Sequence, residues 1–305
     1  MTLPPIVRPP TPPRPAPAPT RIGPTTFRWG ERTFVMGILN ITPDSFSGDG
    51  LLGSNGAAGD PVTRALAMVD EGADLLDIGG ESSRPGHTPV DADEERARVV
   101  PVIAAIRAAL PDVPLSVDTT KPSVAEAALA AGADLLNDIW GTGGDDGMAR
   151  VAAANGVPLV VMHNRAQPVY RALVAEVLAD LEHALERALA AGVAEEDLVV
   201  DPGFGFGKTP DHNVTILREL DALRALGRPI LLGTSRKSTL GRILDLPVEE
   251  RLEATLATTA LGIANGADMV RVHDVRANVR TARVSDAVVR GTWHEGAASG
   301  VGGSS

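Results

Sequence analysis

Polar and charged side chains recur at the carboxyl ends of eight short apolar runs along the chain. Carboxylate and amide groups can accept hydrogen bonds from the amino and ring N–H groups of a flat heterocycle. Carboxylates inside a cleft are costly unless they are paired, and such a ligand would pair them. In chain order the residues are Asn40, Asp77 with Glu81, Asp118, Asn137 with Asp138, His163, Asp201, Ser235 with Arg236 and Lys237, and Arg271 with His273.

Basic residues lie close to the same runs and indicate a second kind of chemistry. Arg84 follows the second run, and Arg271 and His273 are two residues apart, so on a strand they point to the same face. The planar fork of arginine suits phosphate oxygens. Together these three residues indicate a diphosphate site.

Each of these residues also has a purely structural interpretation. An Asp that ends a strand often caps the next helix, and Asp118 and Asp138 could do so. Arg84 could bond only its own loop, and His273 could pair only with the Asp that follows it. For His163 the structural interpretation is favoured. Capping alone is a poor explanation for polar residues at the ends of all eight runs.

The elements that must position these residues follow from a repeated phrase, Gly-Ala-Asp before an apolar run, at Gly72, Gly132 and Gly266. Each copy follows an alanine-rich stretch of helical period, so the phrase marks a corner from helix to buried strand. The predicted helices are Ala92–Leu110, Ser123–Ala131, Arg171–Ala191 and Glu249–Ala264. The predicted strands are Phe34–Leu39, Leu75–Ile78, Leu115–Val117, Leu135–Asn137, Leu159–Met162, Leu198–Val200, Ile230–Leu232 and Met269–Val272.

Strands that alternate with helices imply βαβ units and a parallel sheet. Eight of them predict an α/β protein of the (β/α)8 TIM-barrel type, with a doubly wound open sheet as the alternative. A closed barrel would bring all eight carboxyl ends to one mouth, where barrel enzymes hold their chemistry.

The predicted domains are a disordered Pro-rich tail (1–24), the barrel (25–293) and a flexible Gly/Ser-rich tail (294–305). Proline density in the first segment favours an extended, solvated chain. The segment Thr25–Thr33, centred on Trp29-Gly30-Glu31, is predicted to be a β-hairpin that plugs the floor of the barrel.

Composition narrows the classes of function. The net charge of -11 argues against general nucleic-acid binding, and the absence of cysteine excludes thiolate catalysis and Cys-ligated zinc. No apolar stretch approaches the length of a membrane span, and the first residues lack a signal-peptide core. We therefore expect a cytoplasmic enzyme with small-molecule substrates and no nucleic-acid or membrane partner.

A glycine-rich segment, DPGFGFGK from Asp201 to Lys208, follows the sixth run. It lacks the GxxxxGK[ST] frame of a P-loop. Its alternating Gly and Phe residues predict a loop at the mouth in which Phe204 and Phe206 form a stacking platform for a ligand.

Several phrases, in order, resemble the dihydropteroate synthase family. MGILNITPDSFS from Met36 and DIGGESSRPG from Asp77 are similar to its first and second signatures. SVDTTKP, LLNDI, VVMH, LVVDPGFGFGK, LLGTSRKS and VRVHDV are also similar, and the resemblance spans about 34–275. It implies substitution at the methylene carbon of a pterin pyrophosphate by p-aminobenzoate, with diphosphate as the leaving group.

The resemblance also implies roles for individual residues. Asn40 would hold a Mg²⁺-bound diphosphate, which Arg84, Arg271 and His273 would also contact. The pterin pocket would be lined by Asp118, Asn137, Asp201 and Lys237. Residues near p-aminobenzoate would be Ser83, Pro85, Phe206, Ser235 and Lys237, and Phe46 would lie on a mobile first loop.

The sequence departs from the family pattern at three places. The first loop reads SGDG from Ser47, which shifts its acidic residue to Asp49. Ser83 stands where the family usually has Thr. Asn164-Arg165-Ala166 replaces the usual Met-Gln-Gly after His163, so the part that this loop plays in the site is open.

Two other functions remain as alternatives. A methyltetrahydrofolate-binding methyltransferase shares the barrel and the pterin acceptors, but it needs no arginine-rich diphosphate site. A non-catalytic pterin-binding paralogue is the second alternative. The family resemblance also implies a homodimer, with helices near Glu249–Ala264 and Val275–Arg290 as its expected interface.

Overall fold

The computed structural model describes residues 16–41, 60–81, 90–141, 143 and 145–293. Two short strands, β1 (Thr20–Ile22) and β2 (Thr25–Phe27), form an antiparallel hairpin. Eight further strands form one parallel sheet: β3 (Phe34–Asn40), β4 (Leu75–Gly79), β5 (Leu115–Asp118), β6 (Leu135–Asp138), β7 (Leu159–Met162), β8 (Leu198–Asp201), β9 (Leu231–Leu232) and β10 (Met269–Val272).

The eight parallel strands close into a barrel. Their order is β8-β7-β6-β5-β4-β3-β10-β9, with neighbours hydrogen-bonded. The two ends of that order meet through a parallel bridge between Val200 and Ile230. The predicted (β/α)8 barrel is confirmed, and the open doubly wound sheet is excluded.

Helices alternate with the strands around the outside of the barrel. The helix that was predicted to begin at Glu249 begins about one turn later, at Leu252, because Val248–Glu250 forms a 3-10 turn before it. No helix in the described residues is long and apolar enough to cross a membrane. The helices are α1 (Pro61–Asp70), α2 (Ala92–Ala109), α3 (Pro122–Ala130), α4 (Gly147–Asn155), α5 (Leu173–Ala190), α6 (Pro210–Arg218), α7 (Ser238–Leu244), α8 (Leu252–Ala264) and α9 (Val275–Arg290).

The Gly-Ala-Asp phrase has the same structural role in each of its three copies. Its glycine has a positive φ, between 101° and 112°, which turns the chain out of the helix. Its aspartate then accepts a hydrogen bond from the first backbone N–H groups of a neighbouring strand, at 2.8 to 3.0 Å. The three pairs are Asp74 with Val35 N, Asp134 with Leu115 N, and Asp268 with Ile230 N.

Side chains alternate across each strand, so one face of the sheet fills the barrel and the other packs against the helices. The inward-facing residues near the amino ends of the strands form an apolar cluster that also contains Ile22, Phe27 and Trp29 of the hairpin region. The ring centroids of Phe27 and Phe34 are 4.6 Å apart. The hairpin therefore seals the floor of the barrel, as predicted.

The bounds of that hairpin differ from the prediction. Its turn is Gly23-Pro24, with Gly23 at a φ of 54°, so its first strand lies within the expected disordered tail. Trp29 lies in a second turn, after β2, that does not join the two paired strands. Its side chain is buried, and its Nε1 donates to Thr20 Oγ1 at 2.9 Å. The boundary at residue 24 is therefore wrong for 20–24. The remaining predictions about the tails concern residues outside the described ranges, apart from 16–19.

Candidate active site

Polar side chains line the mouth of the barrel at inward-facing positions. Each lies two residues after an inward-facing residue nearer the floor and is at most one-sixth exposed. The structure brings together five residues of this kind: Asp77, Asp118, Asn137, Asp201 and Arg271.

Asp77 is the hub beneath this group, although the sequence analysis assigned it no specific role. Its Oδ1 accepts from Ser116 Oγ at 2.6 Å, and its Oδ2 accepts from Asn137 Nδ2 at 3.1 Å. Arg271 Nε also donates to Asp77 Oδ2, at 2.6 Å. Its place two residues after Leu75 on β4 was the available signal, because that spacing puts it on the inner face of the barrel.

Arg271 joins two carboxylates across the barrel. In addition to the bond to Asp77, its Nη2 donates to Asp118 Oδ2 at 2.6 Å. Burial raises the pKa of Asp118 to about 7, although the Arg271 guanidinium opposes the shift. Burial opposes the charge on Arg271, but the two carboxylates raise its pKa, so the guanidinium stays charged. Its Nη1 has no hydrogen bond to any residue that the structure describes.

Asp201 and Lys237 lie on the opposite side of the mouth. Asp201 Oδ1 accepts from Gly203 N at 2.6 Å, and Lys237 Nζ donates to the carbonyl oxygen of Phe204. Burial lowers the pKa of Lys237 to about 8, and the carboxylate of Asp201 limits that shift. Burial also raises the pKa of Asp201. A buried acceptor and a half-buried donor of opposite charge thus lie near each other.

The predicted stacking platform of two phenylalanines is reduced to one ring. Phe204 is 1% exposed and belongs to the hydrophobic core between barrel and helices, so it cannot stack on a ligand. Phe206 is partly exposed, and Lys237 Nζ lies 4.4 Å from its ring centroid. Because the glycines around them have positive φ values, the two alternating phenylalanine rings do not lie on the same side of the loop.

Ser235 and His273 form a pair at the ends of β9 and β10. His273 Nδ1 and Ser235 Oγ are 2.9 Å apart, and His273 N donates to Ser235 Oγ at 3.2 Å. Burial lowers the pKa of His273 to about 3, and the charge of Arg271 acts in the same direction. The ring is therefore neutral near pH 7. Asp274 is bonded by Arg236, at 2.6 and 2.8 Å, so neither serves as a partner of His273.

Asn40 ends β3 at the rim of the mouth. A Cβ placed on Gly79 would lie 3.8 Å from Asn40 Oδ1 and 3.7 Å from Asp118 Oδ2, so both oxygens lie against the same glycine. Among the described residues no group of three His, Cys, Asp or Glu side chains could hold a metal ion. One amide oxygen fits a Mg²⁺ ion that takes its other ligands from phosphate and water.

The remaining predicted site residues, Phe46, Ser83, Arg84 and Pro85, lie outside the described residues, as does Asp49. Glu81 is the last described residue before the segment that holds Ser83, Arg84 and Pro85. It accepts from Lys121 Nζ at 2.5 Å. Lys121 also bonds Glu95 at 2.5 Å, and Glu95 is 1% exposed. The sequence analysis did not find this cluster, because Lys121 lies 40 residues after Glu81 and 26 residues after Glu95 along the chain.

His163 has structural contacts, in line with the favoured interpretation. Asp118 and Asp138 do not cap the next helices, whose N-cap residues are Lys121 and Asp146. His163 is fully buried, with Nε2 3.1 Å from Asp180 Oδ2 and Nδ1 2.8 Å from Lys208 Nζ. Asp138 Oδ1 accepts from Trp140 N at 2.9 Å, which fixes the turn after β6.

A parallel barrel whose mouth combines buried acceptors with basic groups is typical of enzymes that bind flat, anionic ligands. The family model for pterin-binding enzymes matches residues 36–273. The dihydropteroate synthase of Clostridium beijerinckii is 50% identical over 271 residues, which are 88% of this chain and 99% of the relative. The chain therefore belongs to the dihydropteroate synthase family of pterin-binding enzymes.

Solved structures agree with that assignment. Dihydropteroate synthase from Clostridium difficile, in the presence of pteroic acid, has a TM-score of 0.80 and 46% identity, covering 87% of this chain and 99% of that one. The Xanthomonas albilineans enzyme with 4-aminobenzoic acid has a TM-score of 0.79 and 42% identity, covering 87% of this chain and 94% of that one.

Some relatives have lost activity. The inactive dihydropteroate synthase 2 of Mycobacterium tuberculosis is 45% identical over 263 residues, which are 82% of this chain and 81% of the relative.

Proposed function

We propose that this chain condenses 6-hydroxymethyl-7,8-dihydropterin pyrophosphate with p-aminobenzoate to give 7,8-dihydropteroate and diphosphate. The observation that carries the proposal is the set of polar side chains collected at one mouth: the buried Asp118, Asn137 and Asp201 and the half-buried Lys237 and Arg271. The relatives and solved structures of the same family support this activity.

The pterin ring binds among the acceptors inside the barrel. Asp118, Asn137 and Asp201 accept from its amino and ring N–H groups, and Lys237 donates to a ring acceptor. Arg271 neutralises two of the buried carboxylates, which would otherwise be costly to hold. The pterin donors then replace part of that pairing.

The diphosphate lies at the outer end of the pocket, where it leaves. Arg271, through Nη1, and His273, as a neutral N–H donor, bind its oxygens together with Arg84. When bound through Asn40 and the diphosphate, Mg²⁺ supplies Lewis-acid stabilisation of the charge on the leaving oxygen. Fixed donors at that position are the main source of rate enhancement in such a reaction.

The arylamine attacks from the side of the glycine-rich loop. Its amine is already unprotonated near neutral pH, so no general base is needed to activate it. A C–N bond replaces the C–O bond to diphosphate, and the amine then loses a proton to solvent. Phe206 packs against the aryl ring and Lys237 lies beside it. The other residues assigned to this region are Phe46, Ser83, Pro85 and Ser235.

Two further features of the proposal concern the whole molecule. We place it in the cytoplasm, on the cysteine-free composition. We also infer a homodimer through α8 and α9, where Leu261, Val284 and Val288 are 55%, 67% and 80% exposed. Sedimentation equilibrium of the protein and of a Val288→Glu variant tests the dimer, which the charge should dissociate.

The test of function is diphosphate release by purified protein with pterin pyrophosphate, p-aminobenzoate and Mg²⁺. We expect release to require all three components. No release by a folded protein that still binds a pterin would instead assign it to the non-catalytic paralogues, such as the inactive mycobacterial relative.

The order of bond changes has its own test. In a series of substituted p-aminobenzoates, a flat dependence of turnover on amine basicity indicates that diphosphate departs before attack. A steep dependence indicates direct displacement.

A further inference from the structure

Two neighbouring loops at the mouth fit each other closely. One follows β7 and runs from His163 to Ala172, and the other is the glycine-rich loop Asp201–Lys208. A Cβ placed on Gly203 would lie 1.8 Å from His163 O, and one on Gly207 would lie 2.3 Å from Arg165 O. No larger residue fits at either position, so the first loop sets the course of the second.

Arg165 fixes the first loop to helix α5, at the position where the sequence departs from the family pattern. Its guanidinium bonds Asp180 and Glu176, each at 2.8 Å, and Val169 O at 3.1 Å. It also lies 4.6 Å from the ring centroid of Tyr170. Arg165 thereby connects one aromatic side chain and one backbone carbonyl to two carboxylates of a rigid helix.

Tyr170 and Lys208 carry this anchoring into the second loop. Tyr170 OH donates to Gly207 O at 2.8 Å. Lys208 Nζ donates to the carbonyl oxygens of Gly203 and Phe206, each at 3.1 Å, so it spans the loop from the inside.

The third bond of Lys208 goes to a buried histidine. Its Nζ lies 2.8 Å from His163 Nδ1, and His163 Nε2 lies 3.1 Å from Asp180. Burial lowers the pKa of His163 to about 4, which leaves a neutral ring that can accept at Nδ1 and donate at Nε2. The chain of bonds from Lys208 thus ends on the same carboxylate that Arg165 binds.

The course of the second loop decides where two candidate aryl-binding groups lie. Phe206 is on the loop, and Lys237 Nζ is 4.4 Å from its ring centroid. Lys237 also donates to Phe204 O, and a Cβ on Gly205 would lie 2.8 Å from Lys237 Cδ. A shift of this loop would move both groups together.

We propose that Lys208 is a positioning residue for p-aminobenzoate. Its Nζ, which is also bonded to His163, binds the carbonyl oxygens of Gly203 and Phe206 and so fixes the positions of Phe206 and Lys237. Arg165 and Tyr170 hold the same loop from its outer side. This inference rests on the proposed function, in which Phe206 and Lys237 contact the aryl substrate.

The test is steady-state kinetics of Lys208→Met with each substrate varied in turn. Methionine keeps most of the length of the side chain and removes all three hydrogen bonds. We expect KM for p-aminobenzoate to rise by roughly tenfold or more, because loss of each such bond is worth about two- to tenfold. We expect KM for the pterin to change less than about twofold. Arg96→Met is the control, because Arg96 is exposed and, among the described residues, bonds only Asp93 on its own helix.

A second variant guards against a folding defect. Tyr170→Phe removes only the hydroxyl that reaches Gly207, and we expect a smaller rise in KM for p-aminobenzoate, by about three- to tenfold. If both variants fold and leave both KM values unchanged, or raise the two equally, the inference is overturned.

Failure of the proposed function is a separate result. If the unsubstituted protein releases no diphosphate, the same variants are compared by equilibrium binding of p-aminobenzoate to protein loaded with pterin and diphosphate. Selective weakening in Lys208→Met and Tyr170→Phe then supports the positioning role alone, and equal binding by all proteins overturns it. A protein that neither turns over nor binds p-aminobenzoate overturns both proposals.

Discussion

At the floor of the barrel the inward-facing positions carry Leu75 and Met269, and two residues further along the same strands they carry Asp77 and Arg271. The strands and the side-chain period are the same at both levels. At the floor, apolar side chains pack against an apolar hairpin. At the mouth, the carboxylates, amides and cations bind one another.

The difference shows how one barrel separates stability from chemistry. Burial of apolar area at the floor stabilises the fold without any partner. The buried charges at the mouth gain little net stability, because each pair must first lose its hydration. Their arrangement is understandable only if a ligand exchanges bonds with them. Mutations at the two levels should therefore change different measured quantities.

The largest effect on catalysis is expected from Arg271→Ala, which leaves Asp77 and Asp118 without their cation. We expect kcat/KM for the pterin substrate to fall by about 10³, as for loss of a main transition-state donor. Arg290→Ala is the matched control: Arg290 bonds Asp286 at 2.8 Å near the floor, so its loss should lower stability and leave kcat/KM of the folded protein nearly unchanged. Equal losses of kcat/KM in the two variants would contradict the separation of stability at the floor from catalysis at the mouth.

The largest effect on stability is expected from Trp29→Ala in the floor cluster. Trp29 is 3% exposed, and its removal leaves a cavity and takes away the indole N–H bond to Thr20 Oγ1, whose own bond to Glu196 O remains. We expect the free energy of unfolding to fall by about 3–5 kcal/mol, measured by urea denaturation, with kcat unchanged at low temperature. Trp293→Ala, at a residue 69% exposed, should change stability by less than about 0.5 kcal/mol.

A smaller effect concerns the pH dependence of the mouth. Burial raises the pKa of Asp118 to about 7, so its carboxylate takes up a proton as the pH falls through that value. A protonated Asp118 is a poorer acceptor for the pterin. We therefore expect kcat/KM for the pterin to decrease below about pH 7, measured as a pH–rate profile of the free enzyme. Asp118→Asn should lower the whole profile and abolish this limb; a limb that persists would assign the titration to another group.

The fold could be predicted from the sequence because its signals are local and repeated. Each Gly-Ala-Asp phrase marks a helix end, and the apolar run after it is too short to be anything but a strand. Closure was predictable from the number of strands. The bounds of the hairpin were not, since Gly23-Pro24 and Trp29-Gly30 both form turns, and only the pairing of β1 with β2 shows that the first one closes the hairpin.

The site was predictable where it depends on one strand at a time. Asp118, Asn137, Asp201 and Arg271 each end a run, and the barrel collects them. Contacts between distant side chains were not predictable. The sequence gives no sign that Arg271 bonds Asp77, 194 residues away, or that Phe204 points into the core while Phe206 does not. Those outcomes depend on packing, which spacing along the chain does not encode.

The smallest predicted effect tests whether Ser235 acts on the diphosphate site or contacts the aryl substrate. Its hydroxyl bonds His273 through both Nδ1 and the backbone N, so Ser235→Ala removes a positioning contact of the diphosphate site. Loss of one such hydrogen bond is worth about 1 kcal/mol, or roughly fivefold in kcat. Ser285→Ala, at another buried serine on α9, is the control and should leave kcat unchanged. If KM for p-aminobenzoate rises while kcat is constant, Ser235 instead contacts the aryl substrate directly, because a lost contact with the diphosphate would slow departure of the leaving group.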